Sequence, residues 1–150
     1  MVWETPQFLF DALNTEFGFD LDVCASPANA KCLRFFTEND DALTQIWDGN
    51  IWMNPPYGRG IGAWVGRARQ QVDSGHADVA VCLVPMRSDS KWFHEHAMKA
   101  SEIRLLDQRL EFAGSTNKAP FPAVLLVFRS GDSSAKLTSY DVRAARNPVK

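Results

Sequence analysis

An asparagine, two prolines and a tyrosine stand in direct succession at Asn54, Pro55, Pro56 and Tyr57, with Gly58 after them. Each proline lacks a backbone N–H and holds φ at about −65°, so the chain stiffens immediately after an amide side chain. That arrangement suits a planar ring carrying an exocyclic amino group. Such a nitrogen delocalises its lone pair into the ring and is a poor nucleophile. Two acceptors aimed at its hydrogens would favour a pyramidal nitrogen and free the lone pair. Asn54 offers a side-chain carbonyl, and Pro55 offers a main-chain carbonyl that its rigid neighbour aims. Tyr57 offers a ring face for stacking. Together the four residues read as a grip on a planar group bearing NH2.

The flanking elements must place this grip. Ile51, Trp52 and Met53 form a short apolar strand that delivers Asn54, after a turn at 48–50. Thr5 suits a helix N-cap and Pro6 a first helical position, with Phe8, Leu9, Ala12, Leu13 and Phe17 at helical spacing and Gly18 as the stop. Residues 19–23 alternate apolar and acidic, which predicts a strand. Ser26 and Pro27 read as the cap of a short helix reaching about residue 36. From Gly60, the apolar positions Ile61, Trp64, Val65, Ala68 and Val72 fall on one helical face. The apolar run at 79–84, stopped by Pro85, suits a strand covered on both faces. A helix over 89–99 follows, then strands at 102–107, 109–112 and 123–129, with a loop at 114–118. This predicts an α/β fold, a reduced Rossmann-like sheet that is mostly parallel with an antiparallel C-terminal end. Residues 1–130 form the domain, and 131–150 a polar, flexible tail or a basic arm through Arg143, Arg146 and Lys150. Ligands sit beyond the carboxyl ends of such strands, so 22–25, 54–57 and 85–89 should converge on one crevice.

Composition sets bounds without naming a function. The chain is 45% hydrophobic with five tryptophans, enough for one core. A net charge of −2 gives no global nucleic-acid signature, so contact with DNA needs a local basic patch. Cys24, Cys32 and Cys82 are odd in number with no CxxC pair, which argues against a disulfide framework or a zinc site. No apolar run reaches the length of a membrane span, and the expected location is the cytoplasm, that of the bacterial host if the chain is phage-encoded. His94 and His96 lack partner ligands, so no metal is expected.

A set of motifs in fixed order narrows the chemistry: Trp3-Glu4-Thr5-Pro6, Leu21-Asp22-Val23-Cys24-Ala25, Asn29-Ala30-Lys31-Cys32, Phe36-Thr37, Trp52 through Gly58, Pro85 through Asp89, and Ala119 through Pro122. This set resembles the phage-type, Dam-like DNA N-6-adenine methyltransferases over roughly residues 3–129. The resemblance implies a methyltransferase fold, S-adenosylmethionine as donor, and double-stranded DNA as partner, its adenine flipped out at a cost of a few kcal/mol. Methyl transfer would be direct, with positioning and amino-group polarisation supplying most of the rate. It implies Asn54, Pro55, Pro56 and Tyr57 as catalytic residues, Trp3, Thr5, Pro6, Asp22, Cys24 and Asp41 at the cofactor, and Phe121 on the far face of the base. Arg59, Arg87 and Lys118 would meet DNA. The same grip would suit an amino group on RNA, a glutamine side chain or a small molecule, or survive in a non-catalytic nucleic-acid-binding relative.

Two features depart from larger methyltransferases. No glycine follows Asp22, so the nucleoside would rest on the helix N-terminus expected at Ser26-Pro27. Only 32 positions separate Asp22 from Asn54, which implies strands shortened or lost. Asp22, Asp40 and Asp41 all compete to hold a ribose. With no room for a recognition domain, readout falls to loops at 87–91 and 114–118, giving short specificity or requiring a homodimer.

Overall fold

The computed structural model describes residues 3–148. A seven-stranded sheet runs through it. Its strands are β1 (Leu21–Asp22), β2 (Arg34–Phe35), β3 (Gly49–Met53), β4 (Ala77–Pro85), β5 (Glu102–Leu106), β6 (Ala123–Arg129) and β7 (Lys136–Tyr140), in the spatial order β2-β1-β3-β4-β6-β5-β7. Only β6 runs against its neighbours; the other adjacent pairs are parallel. The helices are α1 (Gln7–Phe17), α2 (Ile61–Asp73), α3 (Lys91–Glu95) and α4 (Val142–Arg146).

The apolar run of β4 explains the layering. Ala80, Cys82 and Val84 join Val65, Ala68 and Val72 of α2 in one core, while Val79, Val81 and Leu83 join Leu9, Phe10 and Leu13 of α1 in a second. A strand buried on both faces has no polar side to alternate with, hence the unbroken hydrophobic sequence. On the α2 side, Gly62 permits close approach of the next helix: a Cβ placed there would lie 2.8 Å from the Trp92 Cβ.

Several expectations are corrected. The helix predicted from Ser26-Pro27 to Phe36 is absent; 27–29 make a turn, and the chain then enters β2. Amides of that stretch are held by the Asp22 carboxylate and by the Asn29 side chain, which accepts from the Ser26 N–H at 2.7 Å. The loss in the first half therefore falls on crossover helices and on strand length, since β1 and β2 keep two residues each. The predicted strand at 109–112 has the right alternation, with Leu110 and Phe112 buried and Arg109 and Glu111 exposed, yet it joins no ladder. Its contacts are single ones, the Ala113 N–H to the Glu4 carbonyl and the Ala119 N–H to the Leu110 carbonyl.

The segment after Ser130 is not a frayed tail. β7 pairs with β5 along its whole length, and Asp141 caps α4 by accepting from the Ala144 N–H at 2.9 Å. Val142 is buried against the α1 core. Arg146 stands 4.1 Å over the Phe8 ring, so it serves packing, while Arg143 is exposed; Lys150 lies outside the described residues.

Candidate active site

β3 ends at Met53, and Asn54 is the next residue beyond the sheet, next to the end of β1. A cavity of about 680 Å³ opens there. Its walls come from four pieces of chain, Trp3 to Thr5, Asp22 to Lys31, Thr37 to Ala42 and Trp52 to Pro56, together with Trp64. The size is ordinary for a small-molecule or cofactor site.

Asn54 is oriented by the N-terminal segment. Its Nδ2 donates to the Trp3 carbonyl and, at 3.0 Å, to the Thr5 hydroxyl. Its Oδ1 is buried and has no hydrogen-bond partner among the described residues. A buried acceptor left unpaired costs about 1–3 kcal/mol, so a group with a donor to offer would be welcomed there. The Pro55 carbonyl likewise accepts no hydrogen bond among the described residues.

Thr5 is buried and does not cap α1, contrary to expectation. Pro6 occupies the cap position, and its carbonyl accepts from the Leu9 and Phe10 amides. Pro6 is buried and lies off the cavity wall.

Asp22 organises the opposite wall. Oδ1 accepts from the Cys24 amide at 3.2 Å and Oδ2 from the Lys31 amide at 3.1 Å, pinning the glycine-free loop at both ends. Burial pushes the Asp22 carboxyl up despite these bonds. Cys24 lines the cavity with a thiol raised by burial and then by Asp22, so it presents a neutral SH. Asp40 is taken up locally, accepting from the Thr37 amide at 2.7 Å. Asp41 faces the cavity in a left-handed turn, φ 51°, with no hydrogen bond to its carboxylate among the described residues.

Beyond Asn54 lies an aromatic cluster of Trp3, Tyr57, Phe112 and Phe121. Phe121 meets Tyr57 at 5.5 Å and 72° and Trp3 at 5.4 Å and 87°. The Tyr57 hydroxyl donates to the Leu83 carbonyl at 3.1 Å, and burial raises its pKa. A base held between two rings needs them about 7 Å apart and parallel, twice a carbon contact distance. Tyr57 and Phe121 instead touch edge to face, so the rings must part to admit one.

The third predicted segment does not reach the cavity. Met86 is tied to the Pro122 carbonyl through its amide, and Arg87 and Asp89 are exposed. Arg59 and Lys118 are exposed as well and lie off the cavity wall. Sequence reading passed over Glu4, Lys31 and Trp64 on the wall and Phe112 in the cluster. Trp64 reads as core, and it does stack on Trp47 at 27° between ring planes, but one side faces the cavity. Among the described residues no cluster of His, Cys, Asp and Glu could hold a metal, and no helix is long and apolar enough to cross a membrane.

A parallel sheet with one reversed strand, a cavity at its carboxyl edge, and an asparagine-proline-proline-tyrosine turn with a free amide oxygen define a methyltransferase domain of the α/β class. The modification subunit of a putative type I restriction enzyme from Vibrio vulnificus YJ016 shares the fold, at a TM-score of 0.52 and 16% identity over 94% of this chain and 47% of that one. The family described as DNA N-6-adenine-methyltransferase (Dam) matches residues 1–146, and the chain belongs to it. A DNA N-6-adenine-methyltransferase of Haemophilus phage HP1 is 32% identical over 136 residues, covering 85% of this chain and 78% of the relative. One of Escherichia phage T1 is also 32% identical, over 105 residues, covering 68% of this chain but only 43% of the relative. Family membership implies a methyl donor.

Proposed function

We propose that the chain methylates the exocyclic amino group of adenine in double-stranded DNA, using S-adenosylmethionine. The observation that carries this reading is the buried, unpartnered Oδ1 of Asn54, beside a free Pro55 carbonyl and at the mouth of a cofactor-sized cavity. The two acceptors match the two N–H bonds of one amino group, and their pull localises its lone pair.

The donor set on the cavity wall fits the cofactor. Trp3 offers an aromatic face, Asp41 a free carboxylate for ribose hydroxyls, and Cys24 a small neutral group, while Thr5 on the same wall acts at one remove by holding Asn54. Asp22 acts at one remove, holding the loop that forms the wall. Pro6 acts at one remove too, by starting α1. S-adenosylmethionine supplies, when bound, an electrophilic methyl group on a sulfonium. The chain's residues supply position and polarisation, with no covalent link to substrate.

Tyr57 stacks on the flipped base, with Phe121 opposite once the rings part. The exposed Arg59, Arg87 and Lys118 meet phosphates, which fix register without reading sequence. Readout falls to the loops after β4 and before β6, with a second copy of the chain supplying what two short loops lack.

The test is transfer of labelled methyl from S-adenosylmethionine to unmethylated duplex DNA, with nucleoside analysis, in the intact chain and in Asn54→Ala. Label in methyladenine, reduced by roughly 100-fold to 1,000-fold in the variant, is the expected result. Equal label in the variant would remove Asn54 from the site. Label confined to RNA or protein would keep the chemistry and replace the substrate.

A further inference from the structure

An asparagine amide can face a site with either its oxygen or its nitrogen, and only the oxygen accepts from an amino group. What decides between them lies about fifty residues upstream, at Trp3 and Thr5. The Trp3 carbonyl can only accept, so the Asn54 atom facing it must be the NH2 nitrogen. The second hydrogen of that NH2 goes to the Thr5 hydroxyl oxygen at 3.0 Å. With both donors spent, Oδ1 is left on the open side, where it is buried and unpaired.

The holder is itself held. Thr5 is buried, β-branched and followed by Pro6, three restrictions on its conformation. Glu4 is bridged through its carbonyl to the Ala113 amide at 3.0 Å. The Trp3 ring packs on Phe112 and Phe121 at 5.4 Å each. Trp3, Glu4 and Thr5 also wall the cavity.

We propose that Thr5 is a positioning residue: with the Trp3 carbonyl it clamps the Asn54 amide so that its oxygen faces the amino substrate. This rests on the reading of Asn54 as the amino-group acceptor. A hydroxyl whose sequence position suggests a helix cap is diverted to the site, which explains why α1 has no side-chain cap.

Thr5→Val keeps the shape and removes the acceptor; Thr5→Ser keeps the hydroxyl. At saturating cofactor, Thr5→Val should lower kcat by roughly 3-fold to 10-fold, the effect of one lost hydrogen bond. Its calorimetric Kd for S-adenosylmethionine should stay within about 2-fold, and Thr5→Ser should restore most of kcat. A Kd raised in step, with kcat intact at saturation, would make Thr5 a cofactor ligand and overturn the proposal. So would a Thr5→Val enzyme indistinguishable from the parent.

A second measurement needs no turnover. The Asn54 side-chain NH2 pair, identified by its loss in Asn54→Ala, should exchange slowly with solvent in the parent and faster in Thr5→Val. Fast exchange in the parent would remove the clamp whatever the activity. Slow exchange without methylation of any substrate would keep the clamp and retire the proposed reaction.

Discussion

Asn54→Asp separates two accounts of the catalytic amide. If Asn54 serves only as an acceptor, a carboxylate is as good or better, and the variant should work. The structure argues otherwise. The Nδ2 position faces the Trp3 carbonyl and the Thr5 hydroxyl. An ionised aspartate would set a negative oxygen against that carbonyl, in a site where Oδ1 is already shut off from solvent. A protonated aspartate would not: its OH donates to the Trp3 carbonyl while its other oxygen keeps the acceptor role. Desolvation and the facing carbonyl both disfavour the charged form and raise the carboxyl pKa above its ordinary value. Activity should therefore be held by the neutral acid and lost as pH rises through that raised pKa, by about tenfold per unit beyond it. On the low-pH side the variant should approach the parent, within the roughly 3-fold to 10-fold expected for one lost hydrogen bond to Thr5. On the high-pH side it should fall toward Asn54→Ala, whose loss of about 100-fold to 1,000-fold corresponds to some 3–4 kcal/mol. The assay is initial rate of methyl transfer from pH 5.5 to 9 for parent, Asn54→Asp and Asn54→Ala, each divided by the parent curve. A ratio for Asn54→Asp that is flat with pH and near one would refute the donor role of Nδ2.

Two predictions concern the scaffold. Gly62→Ala gains about 1 kcal/mol of helix propensity, but its Cβ would stand 2.8 Å from the Trp92 Cβ, close to backbone and unable to swing away. The clash should win by about 1–2 kcal/mol; a thermal melt lowered by roughly 3–6 °C is expected, and an unchanged or raised one would contradict the close packing of α2 on α3. Glu102 sits between Arg129 and Arg104, and Arg104 also grips Glu16 at 2.7 Å. Burial alone would raise the Glu102 pKa, but the bonds from Arg129 and Arg104 hold it lowered overall. A lowered folded-state pKa means stability present above the ordinary glutamate value and lost as pH falls through the folded one. The melting-temperature gap between the parent and Glu102→Gln should be positive at pH 7 and close in acid; a gap that widens in acid would reverse the assignment.

How much of this was legible in the sequence follows from the range of each interaction. Gly18 as a left-handed cap, the doubly covered β4 and the delivery of Asn54 by β3 depend on neighbours in sequence or on simple periodicity, and they read correctly. Leu110 and Phe112 show the limit of periodicity: alternation foretold which side chains are buried but not whether the backbone finds a partner strand. The helix expected at Ser26-Pro27 failed because the Asp22 and Asn29 side chains take the Lys31 and Ser26 amides, a competition from side chains that a capping pair does not reveal. β7 was missed because Lys136–Tyr140 is mostly exposed, an edge strand whose pairing with β5 leaves little hydrophobic trace.

The site residues divide the same way. Asn54 to Tyr57 stand out as candidates because what marks them is local, a rigid backbone beside an amide and a ring. Thr5 does not, since its side chain is compatible with a cap and its partner lies 49 positions away. Asp22 was legible as an acid at a strand end, but its carboxylate accepts from two backbone amides, and the proposed ribose contact calls for a carboxylate not already engaged. Asp41 meets that condition: it faces the cavity from a left-handed turn that a non-glycine residue adopts at a cost. The neighbouring Asp40 is committed to Thr37, accepting from its amide and its hydroxyl. Of the three acids that compete on sequence, Asp22 and Asp40 already accept hydrogen bonds and Asp41 accepts none among the described residues, which supports the proposal that Asp41 meets the ribose.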